Sequence, residues 1–292
     1  MRNAFLYLHI SVFLAGFTGI IGKYITLNEA MLVWYRLLIS AATMWILFSL
    51  RGRIKKIPLQ DIAGLFGIGL LAALHWVSFF GSIKYANVSV ALVCFSSVGF
   101  FTAILEPILY RKRIDPFDLF LGLLVMLGIF IIFHFDTRYA TGIILGVISA
   151  LLLAFVMIFI RQFAARINTE TLLTWQLSGG FLSLSALLPV YLHFFPATQF
   201  LPTTNDWIWL LILSWFCSVI AFQLTTAALR KLSAFTVNLS FNLEPVYGIL
   251  LAFILFRENK DLNQGFFIGL FLIILSVVLQ MARILRNKPQ GT

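Results

Sequence analysis

The feature that most constrains this chain is the recurrence of apolar runs of about twenty residues, separated by short charged or turn-forming joints. An α-helix rises about 1.5 Å per residue, so about 20 residues cross the roughly 30 Å hydrocarbon core of a bilayer. Ten such runs can be drawn. The first five are Phe5 to Gly22, Ala30 to Leu50, Ile62 to Ser82, Val88 to Tyr110 and Phe117 to Phe135. The second five are Thr141 to Ile160, Leu172 to Leu192, Trp207 to Leu229, Ala234 to Phe256 and Phe266 to Ala282. Helices satisfy every backbone polar group within the segment, which lipid demands. The predicted fold is an all-α polytopic membrane protein of ten transmembrane helices, with no joint long enough to hold a soluble domain.

Composition narrows the function classes. Of 292 residues 61% are hydrophobic and 11% charged, against about a quarter charged in soluble domains. The net charge of +10 sits in inter-helix joints and forms no binding stripe, so no nucleic-acid partner is expected. Cys94 and Cys217 lie inside apolar runs with no metal-ligand spacing, and read as packing residues. No metal or cofactor is expected. Arg2 followed by an apolar run imitates a signal peptide, but "GFTGIIGKY" offers no small-x-small cleavage site, so this run is counted as the first span.

With the N-terminus inside, the cytoplasmic joints and tail collect 15 Lys and Arg and the outer joints 5. The positive-inside rule then predicts that both termini are cytoplasmic. A shift of 146, half the chain, superposes the two sets of five spans. It pairs Phe95 with Phe241, Leu109 with Leu255, Arg111 with Arg257 and Asp115 with Asp261. Five is odd, so the second copy enters from the opposite side. Residues 1–140 and 141–292 are expected to be two inverted five-helix repeats, an arrangement suited to secondary transporters.

Ionisable groups inside spans mark candidate sites. Glu244 lies about ten residues into the ninth span, beside Pro245, whose ring crowds the carbonyl of Phe241 and predicts a bend. It is either a proton- or substrate-handling group or a paired glutamate fixing a kink. Arg36 in "WYRLLIS" must snorkel, pair or bind an anion. An ion pair with Glu244 and a bound carboxylate substrate are the two readings. His75, Ser78, Phe79 and Ser82 share one helical face, which places His75 either at a cavity or in helix packing. Glu106 in "ILEPILYRKR" reads as an interfacial ion pair. Gly99 is the repeat mate of Pro245, and the two are expected to be equivalent hinges.

Three stretches carry a family resemblance: "WYRLLIS", "FGSIKYANVSVALVCFSSVGFF" and "AALRKLSAFTVNLSFNLEPVYGILLAFILFREN". The chain resembles the EamA-type branch of the drug/metabolite transporter superfamily, with Glu258 at the terminal glutamate of that family's pattern. The first copy departs from the pattern, with Gly99 where a proline is usual and "LYRKRI" in place of a "LGE" ending.

The resemblance implies a carrier of small metabolites, often amino acids or related amphipathic solutes, in a bacterial-type inner membrane. Transport would be commonly outward and in some members proton-driven. It also implies a central path lined by Arg36, His75, Trp76, Ser96, Asn238, Asn242, Glu244 and Tyr247. Expected partners are a small-molecule solute, the lipid bilayer and, in the coupled case, protons. A facilitative carrier of small organic solutes and a non-transporting receptor or scaffold are the alternatives. An intramembrane enzyme is not expected, because the chain has no His-Glu-x-x-His, paired intramembrane aspartates or Gly-x-Ser-x-Gly.

Overall fold

The computed structural model describes residues 2–111, 113–135, 137–229, 241 and 243–286, and every regular element among them is helical. The first copy holds α1 (Arg2–Tyr24), α2 (Glu29–Leu50), α3 (Leu59–Tyr85), α4 (Val88–Phe95), α5 (Val98–Tyr110) and α6 (Pro116–Phe135). The second holds α7 (Ala140–Ala164), α8 (Thr169–Phe194), α9 (Thr204–Ser214), α10 (Ala221–Leu229), α11 (Glu244–Phe256) and α12 (Gln264–Arg286). Nine helical stretches among the described residues are long and apolar enough to cross a membrane, and α11 adds a shorter apolar helix. Leu50, Phe130, Ile254 and Phe271 are among many large apolar side chains left on the outside, as lipid contact requires.

Local chemistry sets where the helices start. Asn28 and Asn87 accept from the backbone N–H three residues on, at 2.8 Å each, and so cap α2 and α4. Thr203 and Asp206 form a reciprocal capping box on α9. All three caps lie at one end of the bundle, where α1 finishes. The basic joints lie at the other end.

The fourth span is not one helix. It breaks at Ser96–Ser97 and resumes at Val98. In the second copy a turn at Leu243 precedes α11, which starts at Glu244. The 146-residue shift carries α5 onto α11 end for end, each 13 residues long. It also carries Arg111 onto Arg257, with φ of 52° and 55°. These are the sole non-glycine residues with positive φ among the described ones. An arginine rarely adopts that left-handed conformation, so finding it at both mates marks a repeated backbone more firmly than shared Phe or Leu.

Packing follows the same exchange. α3 lies on α7, while its counterpart α10 lies on α1; α5 lies on α7, while its counterpart α11 lies on α1. α6 and α12 pack on each other. These seams close through glycine. A Cβ on Gly69 would sit 2.2 Å from the Gln176 carbonyl oxygen on α8, and one on Gly128 2.7 Å from the Gly269 oxygen on α12. Backbones that near leave no room for a side chain.

The first-copy break falls at Ser96–Ser97, and Gly99 is an exposed residue inside α5 with open space around its Cα. Pro245 is the second residue of α11, where its missing N–H has no helical partner to lose. The eighth span, read as one helix, carries a π-helical turn over Trp215–Ile220 between α9 and α10.

Candidate functional site

The centre of the bundle gathers around Arg36, which is 2% exposed. Its Nε donates to Ser218 Oγ at 3.0 Å. Its guanidinium lies 4.4 Å from the centre of the Trp76 ring and 5.9 Å from that of Phe80. A desolvated cation over an indole gains about 2 kcal/mol. The backbone carbonyl of Arg36 accepts from Ser214 Oγ at 3.3 Å, which ties α2 to the end of α9. Nη1 is buried and has no hydrogen-bond partner among the described residues.

The π-helical turn explains Ser218. One extra residue per turn rotates Cys217 and Ser218 inward, and both are buried against α1 and α2. Such insertions recur at functional sites because they re-aim a side chain without ending the helix. On α1, Ser11 Oγ contacts Thr225 Oγ1 at 2.6 Å and donates to the Ala221 carbonyl at 2.9 Å, so α1 is sewn to α10.

Glu244 opens α11 half-buried and within Coulombic range of Arg36. The two do not form an ion pair among the described residues, and Arg36 bonds to Ser218 instead. The first turn of α11 presses on α1 through glycine. A Cβ on Gly16 would meet Tyr247 Cβ at 3.2 Å, and one on Gly248 would meet the Gly16 oxygen at 3.1 Å. Tyr247 stands edge-on to Phe13 at 6.0 Å.

His75 is turned into helix packing. It is 5% exposed, its Nδ1 lies 2.8 Å from Ser149 Oγ and 2.9 Å from the Ser149 carbonyl on α7, and Trp76, Phe79 and Phe95 surround it. Ser96 sits in the break of the fourth span and donates to Leu92 at 3.2 Å. Of the expected path residues, Trp76 lies under the Arg36 guanidinium, Glu244 opens α11 and acts on Arg36 through its charge, Tyr247 packs on α1 and His75 on α7, and Asn238 and Asn242 lie outside the described residues.

The two ends differ. At the end where α1 finishes, Glu258 is 3% exposed and bridges both copies. It takes Lys23 Nζ at 2.7 Å, Ser89 Oγ at 2.7 Å and the N–H groups of Ser89 and Val88 at 2.9 and 3.2 Å. A carboxylate against the first turn of α4 also complements the helix dipole. Asp206, fully buried, accepts from Thr26 N at 2.7 Å and Thr26 Oγ1 at 2.8 Å. Glu29 accepts from Tyr191, and Lys84 donates to the Leu27 carbonyl. The long joint "HFFPATQFLPTTND" caps this end, its Phe200 carbonyl accepting from Tyr35 at 3.2 Å.

The basic end is looser. Its ion pairs, Arg53–Glu170, Arg161–Glu106 and Arg166–Asp61, have arginines more than half exposed. The expected interfacial pair of Glu106 is there, made with Arg161 on α7. The hydrogen bond from Arg283 holds Asp115 below the usual carboxylate range. A cavity of about 370 Å³ opens here between Trp45, Lys55, Lys56 and Trp175.

Sequence reading missed Ser218, because an apolar run gives no sign of a π insertion. It placed Glu258 as a motif position without a role. A lone glutamate directly after an apolar span was the available signal.

The fold and the buried centre define a polytopic helical membrane protein built of two inverted copies. A family model described as the EamA-like transporter family matches residues 2–134 and again 140–282, so the chain belongs to that family of membrane transporters of small solutes. Twenty-six solved chains match. One, titled only as the crystal structure of a protein, shares 18% identity at a TM-score of 0.63, over 96% of this chain and 98% of that one. At that identity it speaks for the fold alone. Comparison with curated proteins gives no match.

Proposed function

We propose that the protein is a secondary transporter that carries a small organic metabolite, an amino acid or related amphipathic solute, outward across a bacterial-type inner membrane. It works by alternating access between its two inverted halves. The basic end is the cytoplasmic face and holds both termini. The observation that carries this reading is the convergence of α1, α2, α3, the π-helical turn and α11 on one buried cation beside Glu244, on the seam between the copies. Ionisable groups at that depth are costly unless they serve transport.

Arg36 faces the solute, Trp76 and Tyr247 border the path, and Glu244 is the proton-accepting group. His75 holds α3 to α7, and Ser96 marks where the fourth span bends. The conformation described has the end bearing Glu258 closed. Two similar halves reach the opposite closure at similar energy, because the packings of α3 and α5 on α7 have counterparts in those of α10 and α11 on α1.

The test is flux of labelled amino acids and related metabolites into proteoliposomes, with internal pH followed by dye. Wild-type vesicles are expected to show solute-dependent flux coupled to proton movement. Glu244→Gln should lower that flux at least tenfold and flatten its pH dependence. Unchanged rate and unchanged pH dependence would remove Glu244 from the mechanism. Solute flux without proton movement would favour the facilitative carrier.

A further inference from the structure

We infer that the transported solute is a monovalent organic carboxylate, held by Arg36 at the centre of the bundle; this rests on the carrier reading above.

A guanidinium has five N–H donors and keeps its charge in proteins. Arg36 uses Nε on Ser218 and one face on Trp76, while Nη1 stays buried without an acceptor. A neutral hydroxyl and a ring do not neutralise a buried cation, and a buried charge without an anion is among the costliest arrangements a fold can keep. Ser40, one turn along α2, adds a second buried oxygen without a partner.

Eight of the other carboxylates among the described residues are bonded away from the centre. Glu29, Asp206 and Glu258 are bonded at one end of the bundle. Asp61, Glu106, Asp115, Asp118 and Glu170 are bonded at the other. Among the described carboxylates Glu244 is the one whose charge bears on Arg36, and it forms no ion pair with it. The centre therefore holds one cation whose partner can be either Glu244 or a visiting anion.

Charge and shape select the visitor. The planar pair of carboxylate oxygens matches the guanidinium fork. A solute whose sole charge is an ammonium would meet like charge. A dianion would set its second charge against Glu244, a like charge in a poorly solvated centre.

The test uses the purified full chain and four matched probes: 3-phenylpropanoate, its amide, 3-phenylpropylamine and 2-phenylethyl phosphate. Binding is measured by calorimetry, and flux in proteoliposomes. The carboxylate is expected to bind at least tenfold more tightly than the other three, and Arg36→Lys to weaken it at least tenfold. If Arg36→Lys does not fold, the carboxylate-against-amide comparison on the unaltered protein decides alone. An amide, amine or phosphate that binds as tightly as the carboxylate, or a carboxylate that does not bind, overturns the inference. Flux of neutral or cationic solutes with none of carboxylates overturns it while leaving the carrier intact. Absence of flux for every solute class removes the carrier reading as well.

Discussion

Gly69→Ala should abolish a stable bundle. The added Cβ would lie 2.2 Å from the Gln176 oxygen and 2.5 Å from the Gly180 nitrogen, both backbone atoms of α8. A flexible side chain could move aside, but a helix backbone cannot without shifting the whole α3–α8 crossing. Overpacking in a core costs about 1–3 kcal/mol when side chains can adapt, and more where they cannot. Gly67, two residues earlier and facing open space, is the control. Gly67→Ala should be neutral or slightly stabilising, by up to about 1 kcal/mol from helix propensity. Size-exclusion profiles and thermal unfolding in detergent check the pair. Equal behaviour of the two variants would mean the crossing is not as close as described.

The second large effect is expected at Glu258. This carboxylate joins the copies at one end of the bundle, neutralising Lys23 and accepting three further bonds from the start of α4. Hydrogen bonds to a charged group contribute about 1.5–3 kcal/mol each. The Lys23 ammonium is about a third exposed, so its share is smaller. Glu258→Gln keeps the shape and removes the charge, and should release α4 from the α11–α12 joint. In a background with Ser89→Cys, which is fully buried beside Glu258, labelling by a membrane-impermeant maleimide should speed up at least tenfold. An unchanged labelling rate would show that the joint does not hold this end shut. Lys23→Met should mimic the effect in part, because the backbone bonds from α4 remain.

Much of the architecture was legible because bilayer thickness imposes it. Run lengths placed the spans, and the 146-residue shift placed α5 on α11 from little more than a matched charge break. The backbone supplied the stronger sign, a left-handed arginine after each. Breaks within spans were harder to read. Proline and glycine drew attention to 245 and 99, but the first-copy break is made by two serines whose hydroxyls donate to carbonyls of the preceding turn, at 3.2 and 2.6 Å. A π insertion among Trp, Phe, Cys, Ser, Val and Ile changes no composition, so Ser218 was invisible. Arg36 was legible as a problem and not as a solution. Its depth demanded a partner, Glu244 was the obvious one, and only coordinates place a serine there instead.

Alternating access requires two inverted halves that open in turn at opposite ends. Spin labels at Tyr85→Cys and Leu255→Cys report the end bearing Glu258, and labels at Leu50→Cys and Leu109→Cys report the basic end; all four positions are exposed. On adding a transported solute to protein in lipid nanodiscs, the first distance should lengthen in a fraction of molecules while the second shortens in the same fraction. Two distance distributions that stay fixed, or that widen together, would contradict alternating access in this protein.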